Sequence, residues 1–242
     1  MARAKFSVHP ALESVFLTRS LSYIEKILMK YFGVFSSHSW AGEDAILRQL
    51  ISDPTEWTYL DIGSGHPTYL SNTYWMYTTG SAGILIDCNE KLVNFTKKVR
   101  PRDIVLNTAI SETKTQIEFF EYPSWSLTTS NNDWVESYKK EGKHPIRSYL
   151  VSTTPLNNIY AQLDLTKKVL VSIDVEGADQ EIIQNFLESL RRGLITNKID
   201  IWVLEVDLGF ENVQIPPAIR SLIELGYKIK YHYERTLILK RE

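Results

Sequence analysis

Asp61 stands two residues before a glycine in "YLDIGSGHPTYLSNT" (59–73), and Asp87 closes the apolar run "GILIDCN" (83–89). Both carboxylates fall where an extended segment ends, the place at which open α/β sheets collect their ligands. Two further pairs follow the same rule: Asp174 and Glu176 in "SIDVEGADQE", and Glu205 and Asp207 in "VLEVDLGF". Alternation along an extended chain puts the members of each pair on one side. Four carboxylates gathered at one sheet edge repel one another unless something positive joins them.

The glycine turn discriminates among ligands. A dinucleotide fingerprint needs a third glycine at position 68, where this chain has Thr68. An anion at the end of the first strand would repel a pyrophosphate but suits an ammonium group, so a ligand with an amino-acid moiety and no phosphate fits better. Asp87 lies about the distance downstream at which an acidic side chain takes both hydroxyls of a ribose. Ammonium at one strand end and ribose at the next describe S-adenosylmethionine. Taken singly, Asp61 would serve as well to cap the following turn, and Asp87 to N-cap the next helix.

Methyl transfer to a hydroxyl is an in-line displacement, helped by holding the oxygen against the methyl carbon and by a base that removes the proton. Two accounts of the carboxylates are open. Asp174 or Glu176 is a general base whose pKa is raised by its crowded neighbours. Alternatively, Asp174, Glu205 and Asp207 bind Mg²⁺, which orients a hydroxyl pair and acidifies one of them. Glu176 and Asp179 also suit a plain capping role for a helix that begins near Ala178. His66, just past the glycine turn, is a further candidate base because imidazole titrates near neutrality, and its other reading is a hydrogen bond beside the cofactor. Trp125, Trp134 and Tyr138 either stack on the C–H faces of a sugar or fill a small core of their own.

The elements that position these residues follow from the pattern of apolar runs. "TYLDIG", "GILIDCN" and "DIVLNTAI" are continuous in polarity, as strands buried on both faces are, which predicts a mostly parallel sheet covered by helices. "KVLVSIDVEG", a helix over 180–191, "DIWVLEVD" and a helix around 217–225 continue the alternation. The runs 227–233 and 236–240 are joined by a turn too short for a crossover helix, which predicts a C-terminal antiparallel hairpin closing the sheet. Between Phe119 and Leu156 the periodicity dissolves, so the segment about 121–155 is expected to be an acceptor-side insertion shaping the second substrate's site.

The first 36 residues form a separate helical segment ahead of a domain spanning 37–242. Leu17, Leu21, Ile24, Leu28 and Tyr31 make one apolar stripe, while Arg19, Glu25, Lys26 and Lys30 interrupt it too often for a spanning helix or an export signal. That helix packs on its own domain, forms the seam of a homo-oligomer or lies on a membrane surface. Within 242 residues, 27 basic and 29 acidic side chains are well mixed, so nothing suggests a grip on nucleic acid. Cys88 is the single cysteine, which excludes an internal disulfide and a cysteine zinc cluster and fits the cytoplasm.

Taken in order, "SWAGEDAIL" (39–47), "YLDIGSGHPTYLSNTYWMY" (59–77), "GILIDCN", "RPRDIVLNTAIS" (100–111), "STTPLNNI" (152–159) and "IDVEGAD" (173–179) resemble the successive motifs of FkbM-type S-adenosylmethionine-dependent O-methyltransferases. The terminal hairpin on a parallel sheet likewise resembles the class I methyltransferase architecture of seven strands. The resemblance implies that Asp61, Gly63, Ser64 and Gly65 surround the methionine part of the cofactor and that Asp87 binds its ribose. Asn107, Ala109 and their neighbours to Ile110 would border the adenine, and Gly42, Glu43 and Asp44 would fold over the cofactor. Glu43 and Asp44 also suit the first turn of a helix on dipole grounds. The departures are Trp40-Ala41 where the family more often has a Gln-containing pair, Cys88 after the ribose aspartate, and Asp179 in place of the commoner glutamate. The activity implied is methylation of a hydroxyl on a small molecule or glycan. The rival from another class is a non-catalytic nucleotide-binding or assembly protein that kept the fold, and Thr68 and Asp61 both disfavour an NAD(P)-linked oxidoreductase.

Overall fold

A computed structural model describes residues 37–39, 42–175, 177–196, 199–206, 215–233 and 235–242. The expected N-terminal helix, Trp40, Ala41, Glu176 and Asp207 lie outside the described residues. In chain order the elements are α1 (Glu43–Leu50), β1 (Trp57–Ile62), α2 (Tyr74–Thr78), β2 (Ile84–Asp87), α3 (Glu90–Val99), β3 (Ile104–Asn107), β4 (Ala109–Ile110) and β5 (Gln116–Glu121). Then come α4 (Asn132–Lys140), β6 (Arg147–Thr154), α5 (Leu156–Tyr160), β7 (Lys168–Ile173), α6 (Asp179–Arg191), β8 (Ile199–Glu205), α7 (Pro217–Glu224), β9 (Tyr227–Tyr233) and β10 (Thr236–Arg241).

Seven strands form one sheet in the order β3-β2-β1-β7-β8-β10-β9. The first five are parallel, whereas β10 runs antiparallel to both β8 and β9. This is the mostly parallel seven-stranded class I methyltransferase sheet with its antiparallel C-terminal pair. All six residues of β1 are buried, and five of six in β7, because helices cover both faces of the sheet. One apolar layer joins β1, β7 and β8 to α5, α6 and α7 through Ile62, Val171, Ile183, Phe186, Trp202 and Ile219. The opposite layer packs α1 and α2 through Leu47, Trp75 and Met76 against Tyr59, Leu170 and Ile238.

Local chemistry sets the helix boundaries. The Asn89 side chain accepts from the Lys91 and Leu92 amides at the start of α3, whose last turn carries Lys97 and Lys98 against the helix dipole. Asn131 caps α4 through the Asp133 amide, and Pro217 opens α7, where its missing N–H costs nothing.

Two expectations need correction. The run "DIVLNTAI" is not one strand buried on both faces: β3 is the sheet's edge, with Ile104 45% exposed, and the chain leaves it at Thr108. The Thr108 hydroxyl bonds the Ser152 carbonyl at 2.8 Å and the Thr154 hydroxyl at 2.9 Å, so β4 pairs with β6 instead. The supposedly irregular 121–155 segment belongs in part to a second, three-stranded sheet, β4-β6-β5, in which β5 and β6 are antiparallel. Among the described residues no helix is long and apolar enough to cross a membrane.

Arg100, at the C-terminus of α3, is fully buried. Its Nε pairs with Asp103 at 2.7 Å, and its two terminal nitrogens donate to the Tyr59 hydroxyl, the Thr73 hydroxyl, the Ser71 hydroxyl and the Pro67 carbonyl. Replacing it with Met strands those acceptors and leaves Asp103 as an uncompensated buried charge. Arg100→Met is expected to destabilise the fold by about 3–5 kcal/mol in urea unfolding. Arg100→Lys should recover little of this, because one ammonium cannot serve the five-donor fork. An unchanged urea midpoint in either variant would refute this account.

Candidate functional site

The carboxyl ends of β1, β2, β7 and β8 converge on one edge of the sheet. Gly63 and Gly65 turn the chain out of β1 with φ of 79° and 57°, values that favour glycine. The turn is tied to the next strand because the Gly63 and Ser64 amides both donate to the Ile86 carbonyl, at 2.9 and 3.0 Å. A Cβ on Gly63 would overlap the Asp174 carbonyl, and a Cβ on Gly65 would run into the Trp125 ring. Only glycine lets the turn lie this close to its neighbours.

Asp61 is buried, and its Oδ2 accepts from the Thr73 hydroxyl at 2.5 Å. Burial pushes its carboxyl up, against the opposing pull of Thr73 and Arg100. Asp87 does not N-cap the following helix, a role taken by Asn89. Instead its Oδ2 accepts from the Gly65 amide at 2.8 Å and its Oδ1 from the Asn89 amide at 2.7 Å. Burial raises the Asp87 carboxyl to about 6, although both amides oppose the shift. The Cys88 side chain also hydrogen-bonds this carboxyl, which still has lone-pair capacity for an outside donor. Asn107 joins this corner by donating from Nδ2 to the Asp87 and Cys88 carbonyls, both at 3.0 Å, and Ala109 is buried behind it.

Across the turn, Asp174 has protein on several sides and yet is substantially exposed to solvent. Its carboxyl is pushed up first by its protein surroundings and then by Glu205, to which it hydrogen-bonds. Glu205 in turn pairs with Arg235 Nη1 at 2.8 Å. Two carboxyl groups in contact require a shared proton, and the guanidinium favours leaving it on Asp174 while Glu205 stays ionised. The positive group that the acidic cluster called for is therefore Arg235, from the β9–β10 turn, which also lies 4.8 Å over the Trp134 ring.

Of the expected Mg²⁺ ligands, Asp174 and Glu205 contact each other and Asp207 lies outside the described residues. Glu205 is already committed to a guanidinium, and among the described residues no group of three or more His, Cys, Asp or Glu is placed to hold a metal ion. Ser64 is buried within the turn. Glu43 is buried at the start of α1, where it accepts from the Thr236 hydroxyl at 2.7 Å. Neighbouring Asp44 accepts from Ser37, His38 and Ser39 and so orders the segment leading into that helix. His66 Nδ1 accepts from the Thr68 and Tyr69 amides, at 3.3 and 3.1 Å, so the ring clamps a turn with the nitrogen a base would use. Of the aromatic candidates, Tyr138 is buried edge-on against Tyr122 and Trp134, and Trp134 carries Arg235 on its ring. These fill a small core of the insertion, which leaves Trp125 as the half-buried aromatic beside the glycine turn.

Sequence reasoning missed Arg100 and Arg235, because nothing in the spacing marks the Glu205 that Arg235 meets or the distant hydroxyls of Tyr59, Ser71 and Thr73 that Arg100 serves besides its neighbour Asp103. The comparisons agree with the geometry. The family model described as the methyltransferase FkbM domain matches residues 61–229, from Asp61 in the turn to Ile229 in β9. No curated protein matches the chain. Among solved structures, a human methyltransferase 10 domain containing protein aligns at 11% identity over 94% of this chain and 96% of its own, with a TM-score of 0.43. A TehB-like S-adenosylmethionine-dependent methyltransferase from Corynebacterium glutamicum aligns at 8% over 93% and 99%, with a TM-score of 0.41. An O-methyltransferase from Bacillus cereus, solved with S-adenosylhomocysteine, aligns at 11% over 98% and 94%, with a TM-score of 0.40. Likenesses this distant carry no argument about ligand or substrate.

Asp179, at the start of α6, is buried beside Asp174, and burial raises its carboxyl to about 7. Its native pKa lies above the unfolded value, as does that of Asp87, so the native state holds more protons than the unfolded chain between about pH 4 and pH 7. Their contribution to stability is complete below about pH 4 and is lost as the pH rises through 6 and 7. The urea midpoint is expected to fall across that interval, and Asp179→Asn should flatten the fall. A midpoint that rises with pH in the native protein would contradict the assignment.

Proposed function

Because the chain belongs to the FkbM methyltransferase domain family, we propose that it methylates a hydroxyl group of a small molecule or glycan at the Asp174 recess. The family membership makes it a transferase dependent on S-adenosylmethionine, and the residues of the turn fit that ligand. Gly63 and Gly65 offer bare backbone, and Asp87 retains lone pairs for a ribose diol. Asn107 and Ala109 border the same corner, and Asp61, held by Thr73, would face an ammonium group. S-adenosylmethionine supplies an electrophilic methyl group on a sulfonium.

The observation that carries the hydroxyl reading is the Asp174–Glu205 pair, solvent-accessible at Asp174 and bound to Arg235. An alcohol is a poor nucleophile until its proton has somewhere to go. When the shared proton passes inward to Glu205, the solvent-facing Asp174 is left ionised to accept the alcohol's proton, and its elevated pKa narrows the gap to the alcohol. Arg235 keeps the pair in register by holding Glu205. Glu176 is the remaining candidate base on this strand end. No step passes through a metal, and His66 is assigned to positioning the turn. The 121–155 insertion, with Asn131 and Trp134 against Gly177, would form one wall of the acceptor site. A cytoplasmic location and an acceptor other than nucleic acid belong to the same proposal, supported by the mixed charge and the single cysteine.

Isothermal titration with S-adenosylhomocysteine, using NAD as the control, tests the cofactor half. Native protein should bind the thioether and ignore NAD, while Asp87→Ala loses about 10–100-fold in affinity, the value of charge-assisted bonds to two hydroxyls. Methyl transfer from labelled S-adenosylmethionine to a panel of hydroxylated glycans and small molecules tests the other half. Asp174→Asn should lower kcat by about 10²–10⁴-fold with little change in cofactor affinity. Label appearing on amines or thiols but on no hydroxyl would reject the acceptor class.

A further inference from the structure

We infer that Trp125 is a steric gate on the cofactor cleft, its indole occupying the face of the Gly65 turn against which the ligand must pack. This rests on the cofactor assignment made above. Gly65 donates its amide to Asp87, so the surface of this residue is the corner between the glycine turn and the ribose-binding carboxylate. Trp125 ring atoms stand where a Gly65 side chain would be, and nothing fits between them and the backbone. An adenosyl group and this indole cannot hold that corner together.

The surroundings allow the ring to leave. Trp125 is half-buried in a single turn of 3₁₀ helix, residues 125–127. The loop is braced within itself, by Leu127 N–H to the Ser124 carbonyl and Thr128 N–H to the Trp125 carbonyl, both at 3.1 Å, and by the Ser124 and Ser126 hydroxyls at 2.9 Å. At its base the backbones of Phe120 and Thr129 exchange two hydrogen bonds, Thr129 is fully buried, and Tyr122 packs on Tyr138. The second tryptophan of the insertion is held differently: Trp134 lies under Arg235 and against Tyr138, in contact with Gly177. One indole is clamped at the β7 side while the other rests on the β1 side, so the cofactor corner can open with the acceptor wall in place.

A gate lowers apparent affinity by the fraction of molecules in which it stands open. Trp125→Ala is expected to bind S-adenosylhomocysteine at least about threefold more tightly than the native protein in titration calorimetry, with Trp125→Phe between them. A second measurement needs only the native protein and Trp125→Phe: the difference in their acrylamide quenching should grow when S-adenosylhomocysteine is added, as Trp125 swings into solvent. Native binding with equal or weaker binding by folded Trp125→Ala, or an indole better shielded in the complex, overturns the gate and leaves the cofactor assignment intact. If neither protein binds the thioether, the cofactor assignment fails and the gate fails with it.

Discussion

A guanidinium with no access to water sets the terms for the binding edge of this protein. Arg100 reaches four segments at once: the start of β3 through Asp103, β1 through Tyr59, the segment after the glycine turn through Pro67 and Ser71, and the start of α2 through Thr73. Its ring contacts with Tyr59 and Tyr77, at 5.5 and 5.2 Å, pack the remaining faces of the group. A buried cation tolerates no slack, because each unmet donor carries a desolvation cost. Thr73 passes this constraint on. Its hydroxyl accepts from Arg100 and donates to Asp61, so the carboxylate beside the turn is oriented through Thr73 by a fully buried charge.

Arg235 plays the complementary part at the other side of the turn. The ends of β7 and β8 bring Asp174, Asp179 and Glu205 together, and each would raise the energy of the others if all were ionised. The structure relieves this by two devices: one guanidinium from the hairpin, and carboxyl groups that hold their protons. Both keep the acids close, and Asp179, raised to about 7, can exchange its proton near neutrality.

Much of the sheet was legible because strands covered on both faces are apolar over most of their length, as β1, β2, β7 and β8 are. The hairpin was legible from the brevity of its turn. Asp61, Asp87 and Asp174 stood out because a carboxylate directly after such a run has few structural uses. The second sheet was hidden for the opposite reason. In β6 only Val151 is buried, so the strand shows no periodic signature, and its pairing with β5 is made across a 25-residue excursion between Glu121 and Arg147. Ile104 in β3 looked buried because the reading assumed a neighbour on both sides, which an edge strand lacks. Arg235 was invisible because its pairing with Glu205 is long-range, and Arg100 because the distant Tyr59, Ser71 and Thr73 hydroxyls it serves leave no trace in spacing. His66 was ambiguous for a subtler reason: the same lone pair that would accept a substrate proton is suited to accepting backbone amides.

The position of β10 has a bearing on biosynthesis. This strand lies inside the sheet, between β8 and β9, although it is the last of the ten to leave the ribosome. Until it arrives, β8, five of whose seven residues are buried in the finished sheet, presents an unpaired edge of the kind that invites pairing with other chains. The same final strand brings the Thr236 hydroxyl to Glu43, and the turn before it brings Arg235 to Glu205. The acidic recess is thus completed by the closing residues of the fold, and a nascent chain halted before them would carry the cofactor turn without the cation that settles its acids.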